Sequence, residues 1–245
     1  MEQACLRPPP LPPAPEGAGS PAWWFATCRH TPRAQRAVVS GAWALPRPVR
    51  AGAVEGLSWD GSVAVLRSLA RPSRFAVVAL EGDTPARIVD LSEQGRFEFD
   101  ALSVSGDSLF LSEYAGAKAT VLDRIRVLDT VTGKLRQEPV VDKLEGAESM
   151  AGVPVARVYS PDGATAYTVY DAQRHPFVHV LLTGDAISLC LDLPARGNAV
   201  TPGTWKLTLD SAKGTVRAAS SRLGKAFVIR VRDSIGTIVR VENLT

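Results

Sequence analysis

Two histidines four residues apart, His175 and His179, are the side chains here whose type and spacing best suit metal or proton chemistry. In a strand, residues of even separation share a face. Pro176 stands between them and interrupts the ladder. A zinc site needs a third protein ligand, and the neighbouring carboxylates are Asp171 and Asp192. No motif fixes either one, so His175 reads as a hairpin-turn residue and His179 as one that caps or lines a strand. Glu98 and Asp100, in Arg96-Phe97-Glu98-Phe99-Asp100, are a candidate acid pair, since alternation puts both on one strand face. That is also the pattern of a solvated strand edge, and nothing places a substrate between them. Cys190 lies in the apolar run Ile187-Ser188-Leu189-Cys190-Leu191 and reads as a small buried residue. A catalytic thiol would need an adjacent base. Cys5, Cys28 and Cys190 are an odd set without metal-ligand spacing, and Cys5 could join Cys28 only in an oxidising compartment. No glycine-rich phosphate loop, Gly-x-Ser-x-Gly elbow or His-Glu-x-x-His is present. No catalytic, cofactor-binding or metal-binding residue is assigned, and no cofactor is expected.

The elements that must position these groups are set by a repeat. Ser58-Trp59-Asp60-Gly61, Ser103-Val104-Ser105-Gly106-Asp107, Ser160-Pro161-Asp162-Gly163 and Asp210-Ser211-Ala212-Lys213-Gly214 are four versions of one turn phrase. The glycines Gly61, Gly106, Gly163 and Gly214 stand 45, 57 and 51 residues apart. A second turn signal follows each at offsets of 21, 27, 21 and 22 residues: Gly82-Asp83, Thr132-Gly133, Gly184-Asp185 and Ser234-Ile235-Gly236. Glycine supplies the positive φ of tight hairpin turns, and Asp, Asn and Ser favour the same turns. Two hairpins per unit make four strands, one blade of a propeller. The flanking runs, such as Phe75–Leu80, Ala166–Tyr170, Phe177–Leu181 and Phe227–Val231, are β-branched or aromatic and of strand length. The sequence predicts an all-β, propeller-like domain over 54–245 with about four blades of four-stranded antiparallel meanders. Tyr167, Val169, Phe177 and Val180 are its expected core in the third blade, and Asp142–Met150 is an inserted loop.

The chain of 245 residues carries 28 Lys and Arg against 25 Asp and Glu, a net charge of +3. The excess lies in the first 50 residues, where six arginines face Glu2 and Glu16, and the rest is close to neutral. That argues against nucleic acid as a partner, because such a face needs clustered Lys and Arg. Residues 1–50 also hold 10 of the 18 prolines and read as a Pro/Arg-rich disordered leader. Arg7–Pro15 has the composition of polyproline II, with an SH3-type ligand as the sharper reading, and Trp23-Trp24-Phe25 is its one apolar cluster. No charged segment followed by an apolar core marks a secretory signal, and no apolar run approaches the length of a membrane span. The expected location is therefore cytoplasmic for the sequence as it stands.

Phe99-Asp100-Ala101-Leu102-Ser103 with Arg126-Val127-Leu128-Asp129-Thr130-Val131-Thr132-Gly133-Lys134-Leu135 resembles the YVTN/WD40-like bacterial β-propellers, in which an Asp-Thr-x-Thr-Gly turn closes the outer hairpin. Arg157–Gly163, Ala166–Tyr170, Pro176–His179 and Cys190–Pro194 resemble an uncharacterised propeller group of high-GC Gram-positive bacteria. The resemblance covers about residues 54–245. It implies no reaction and carries over no catalytic residue. Members tend to carry a membrane anchor or export signal, which implies an extracytoplasmic location if the start is misassigned. Two functions follow as expectations. One is a non-enzymatic binding or scaffold propeller for an unknown protein or cell-surface ligand, its loops varying while the blades hold. The alternative is a lactonase-like or hydrolase-like enzyme with a polar central-channel site, for which Asp60, Asp100, Asp107, Asp162, His175 and His179 are the pool. Convergence of three or more of them on one point discriminates the two.

Overall fold

The computed structural model describes residues 38–39, 43–46, 55–80, 84–114, 122–142, 150, 152–171, 176–194, 204–232 and 235–244. Of the regions read above, most of the leader, His175 and the 143–149 insertion lie outside these residues. Among the described residues every regular element is a strand, as the paired-turn repeat predicts.

The strands form four sheets. The first joins β1 (Val38–Val39), β2 (Trp43–Ala44), β3 (Val63–Ser68), β4 (Arg74–Ala79) and β5 (Arg87–Asp90) in chain order. It thus begins upstream of residue 54. The second joins β6 (Arg96–Leu102), β7 (Ser108–Tyr114), β8 (Leu122–Asp129) and β9 (Lys134–Leu135). β10 (Val141–Asp142) leaves that sheet and pairs in parallel with the last strand of the third, which holds β11 (Val153–Tyr159), β12 (Thr165–Asp171), β13 (Phe177–Leu182) and β14 (Ile187–Asp192). β15 (Trp205–Asp210), β16 (Thr215–Ser220), β17 (Lys225–Arg232) and β18 (Ile235–Asn243) make the fourth. Apart from β10 every pairing is antiparallel between consecutive strands, so each sheet is a meander. The architecture is all-β and propeller-like.

Alternation explains how the sheets stack. A strand shows one face to each side, and both sides of an inner blade need a neighbour. Phe75, Val77 and Val89 of the first blade bury against Phe97, Leu109 and Leu111 of the second. Phe110, Ile125 and Val127 on its other face meet Tyr170, Phe177 and Leu181 of the third. Val169, Val178, Val180 and Leu189 then meet Trp205, Val216, Phe227 and Ile229 of the fourth. Tyr167 and Val169 do share a face, as alternation requires.

The repeated turn is a device for closing the first hairpin of each blade. In the first three blades a serine hydroxyl accepts the backbone N–H five residues on, at 2.9 to 3.0 Å, and donates to the turn aspartate: Ser58 to Asp60, Ser103 to Asp107, Ser160 to Asp162. In the fourth, Asp210 holds Lys213 instead. Gly61, Gly106 and Gly163 sit at φ +73 to +76°, the left-handed region that a side chain disfavours.

Candidate functional site

Arg157 lies in the otherwise mainly apolar strand β11 and is wholly buried, at 0% exposure. A buried guanidinium is tolerated only when paired and hydrogen-bonded. Its Nη1 donates to both oxygens of Glu55, each at 3.2 Å, its Nη2 donates to Asp100 Oδ1, and its Nε donates to Thr168 Oγ1 at 2.8 Å. Glu55 and Asp100 are each 2% exposed. The Tyr159 hydroxyl donates to Glu55 Oε2 and the Tyr170 hydroxyl to Asp100 Oδ1, both at 3.1 Å. One guanidinium and two carboxylates, drawn from three blades 57 and 102 residues apart in sequence, thus close a buried hub.

Each blade delivers its charge by the same local rule. Glu55, Asp100 and Arg157 all stand six positions before their turn glycines. The serine–aspartate turn fixes the hairpin, and the hairpin fixes which residue of the segment leading into it faces inward. Thr208 holds the same position in the fourth blade and is exposed.

Asp100 corrects the expectation of a solvated pair with Glu98. A β-bulge between Phe99 and Ala101 leaves Asp100 without a cross-strand partner and turns it into the hub. Glu98 stays half-buried, bonding Arg96 at 2.5 Å and the Tyr114 hydroxyl at 3.1 Å.

The hub's electrostatics follow from burial. Desolvation pushes the Glu55 carboxyl up, opposed by Arg157 and by the Tyr159 hydrogen bond. Burial also raises the Tyr159 and Tyr170 phenols, with help from the adjacent acids, so both stay protonated donors. Burial pulls His179 below the ordinary imidazole value, with Asp100 opposing. The neutral imidazole sits edge-on to Tyr170, with ring centres 5.8 Å apart. Neither of its nitrogens has a hydrogen-bond partner among the described residues. Arg157, Thr168, His179 and Cys190 are successive cross-strand partners, a row running from the hub to the outer strand. Cys190 at its end is half-buried against the core between the second and third blades, and its N–H donates to Asp142 Oδ2 at 2.6 Å.

Of the pool members among the described residues, Asp100 and His179 come near the hub, and His175 lies outside those residues. Asp60, Asp107 and Asp162 are exposed and tied into their own turns. Asp171 is buried beside Arg222 at 3.9 Å, with its carboxyl raised by desolvation, and Asp192 is exposed. Among the described residues no three His, Cys, Asp or Glu side chains assemble into a metal-binding group. Nor is any helix there long and apolar enough to cross a membrane.

A separate open cavity of about 500 Å³ lies between β5 and the turn leading into β9. Arg87, Ile88, Asp90, Gln94, Thr132 and Lys134 line it, with mixed charge and no buried titratable group among them.

No family model matches this chain, and no curated protein matches it. Solved structures do. The chain is similar to Hsv2 of Kluyveromyces lactis (14% identity, TM-score 0.45, 76% of this chain and 62% of that one). It is also similar to hydrazine synthase of Kuenenia stuttgartiensis (17%, 0.47, 77% and 47%) and to the WD40 domain of Toxoplasma gondii coronin (11%, 0.42, 76% and 43%). The chain spans less than two thirds of each of these structures.

Proposed function

We propose that this chain is a non-enzymatic β-propeller that binds or scaffolds a protein or cell-surface ligand. The observation that supports this reading is the internal pairing of the hub. The acids a channel enzyme would direct at substrate are spent on Arg157 and two tyrosines, and both acids are 2% exposed. Such a hub fixes three blades relative to one another and leaves the turns as the presented surface. Membership of the YVTN/WD40-like propellers, and of the high-GC Gram-positive group, belongs to the same proposal on the motifs quoted above. So does an extracytoplasmic site of action, with a cytoplasmic one as its alternative.

The test is a turnover assay of the full chain with lactone and ester substrates, with and without added Ca²⁺, Zn²⁺ or Mn²⁺. The expected result is no rate above buffer. A metal-dependent rate that Asp100→Asn abolishes while the protein stays folded would establish the lactonase-like alternative instead.

A further inference from the structure

Trp59 is 55% exposed, yet it is held in place. It belongs to the first blade's turn, and its Cβ and Cγ lie over Gly163 in the third blade's turn, where an added Cβ would meet Trp59 Cγ at 2.5 Å. The next residue ties the same turn to the second blade, Asp60 N–H donating to Val104 C=O at 3.3 Å. The Ser62 hydroxyl adds a bond to Ser105 C=O at 3.2 Å. A large aromatic is therefore pinned across three blades with more than half its surface open. An exposed, pre-positioned aromatic costs little ordering entropy on contact and is the residue type that anchors interfaces.

The surroundings state the partner's charge. The three turns 58–62, 103–107 and 160–164 carry Asp60, Asp107 and Asp162 and no Lys or Arg. Each carboxylate is fixed through Oδ1 by its serine; against burial, which is the largest single influence at Asp60 and raises it, turn hydrogen bonds led by the serine's hold all three below the ordinary carboxylate value. The Arg136 charge adds a small further lowering at Asp107. Elsewhere the chain meets its own cations with aromatic faces: Arg74 lies 5.5 Å from the Trp43 ring centre and Arg96 lies 5.0 Å from that of Tyr114. An exposed indole in a cluster of turns that carries fixed negative charge attracts a cation more strongly than either feature alone.

We propose that this turn face docks a basic peptide segment of a protein partner, with Trp59 receiving an Arg or Lys side chain. The proposal rests on the binding reading above and names the surface and the partner's chemistry. It is tested with the full chain titrated with a tetra-arginine peptide by calorimetry, against tetra-glutamine as the control, at two salt concentrations. The expected result is saturable binding of the basic peptide only, weakened by salt. Trp59→Ala should weaken it by about fivefold or more and Trp59→Phe by less, following the order of ring strength for cations. Asp60→Asn with Asp162→Asn should flatten the salt dependence. Thermal melts confirm that each variant is folded, as expected for exposed positions. Absence of saturable binding, or binding that Trp59→Ala leaves unchanged, would overturn the proposal. Neither outcome touches the turnover assay, so failure here is distinct from failure of the non-enzymatic reading.

Discussion

Replacing Arg157 by Met removes four hydrogen bonds from the hub and strands two carboxylates that are each 2% exposed. Met nearly matches the arginine stem in volume, so the cost is one of charge rather than packing. Breaking a buried ion pair from one side costs about 3–5 kcal/mol, because an uncompensated charge is left in low dielectric. For a chain of this size each kcal/mol lowers Tm by roughly 2–4 °C, so a drop of about 6–20 °C is expected at neutral pH. The sign with pH is fixed. Burial already raises the Glu55 carboxyl against the opposing Arg157 charge, so without Arg157 it is pushed further above its unfolded value. Neutral Glu55 is tolerated at low pH, and that contribution is lost as pH rises through its folded value. The penalty should therefore shrink toward pH 4. Urea unfolding at pH 7 and pH 4.5 measures it, beside the triple variant Glu55→Gln, Asp100→Asn, Arg157→Met, which removes the stranded charge and should recover a large part of the loss. A single-variant cost under about 1 kcal/mol, or a triple variant no better than the single one, would refute the hub as described.

Other outcomes follow from the same geometry. His179→Phe should flatten the fall in stability below about pH 6.5. The buried imidazole's lowered value gives stability that is present above its unfolded pKa and lost as pH drops; an unchanged slope between pH 7 and 5 in paired urea titrations would place the titration elsewhere. Gly163→Ala should cost clearly more than Gly61→Ala. Both sit at nearly the same φ, but only Gly163 has Trp59 where the methyl must go, and equal costs of about 1 kcal/mol would mean the indole is not seated there. Phe177→Ala should cost about 3–5 kcal/mol, since the ring is buried and stacked 5.2 Å from Tyr170; a loss below half a kcal/mol would put it on the surface.

How much was legible in the sequence differs between scaffold and hub. The turn phrase is local chemistry, and a glycine that needs positive φ beside a serine and an aspartate announces a hairpin. Gly61, Gly106, Gly163 and Gly214 accordingly all have positive φ. Asp100 was misread because strict alternation has no place for a bulge, and nothing in Phe99-Asp100-Ala101 marks one. Arg157 and Glu55 were passed over, since neither a lone charge in an apolar strand nor one in a turn ahead of the first hairpin stands out when each repeat is read singly. A signal was present: aligned on their turn glycines, three of the four repeats carry a charge at one position, two acidic and one basic. Positions equivalent in repeats around a common axis meet in space, so that column was a contact prediction. Trp59 gave no such signal, because its seat on Gly163 depends on the way blades stack.

The polar groups of the hub bond one another across three blades. A crystal structure of the full chain grown with Zn²⁺ and Mn²⁺, with anomalous data at each metal edge, tests this most directly. The expected result is the Arg157 guanidinium bonded to both Glu55 and Asp100, with no anomalous peak within ligand distance of Asp100 or His179. A metal bound by Asp100 and His179, with Arg157 turned away, would contradict it.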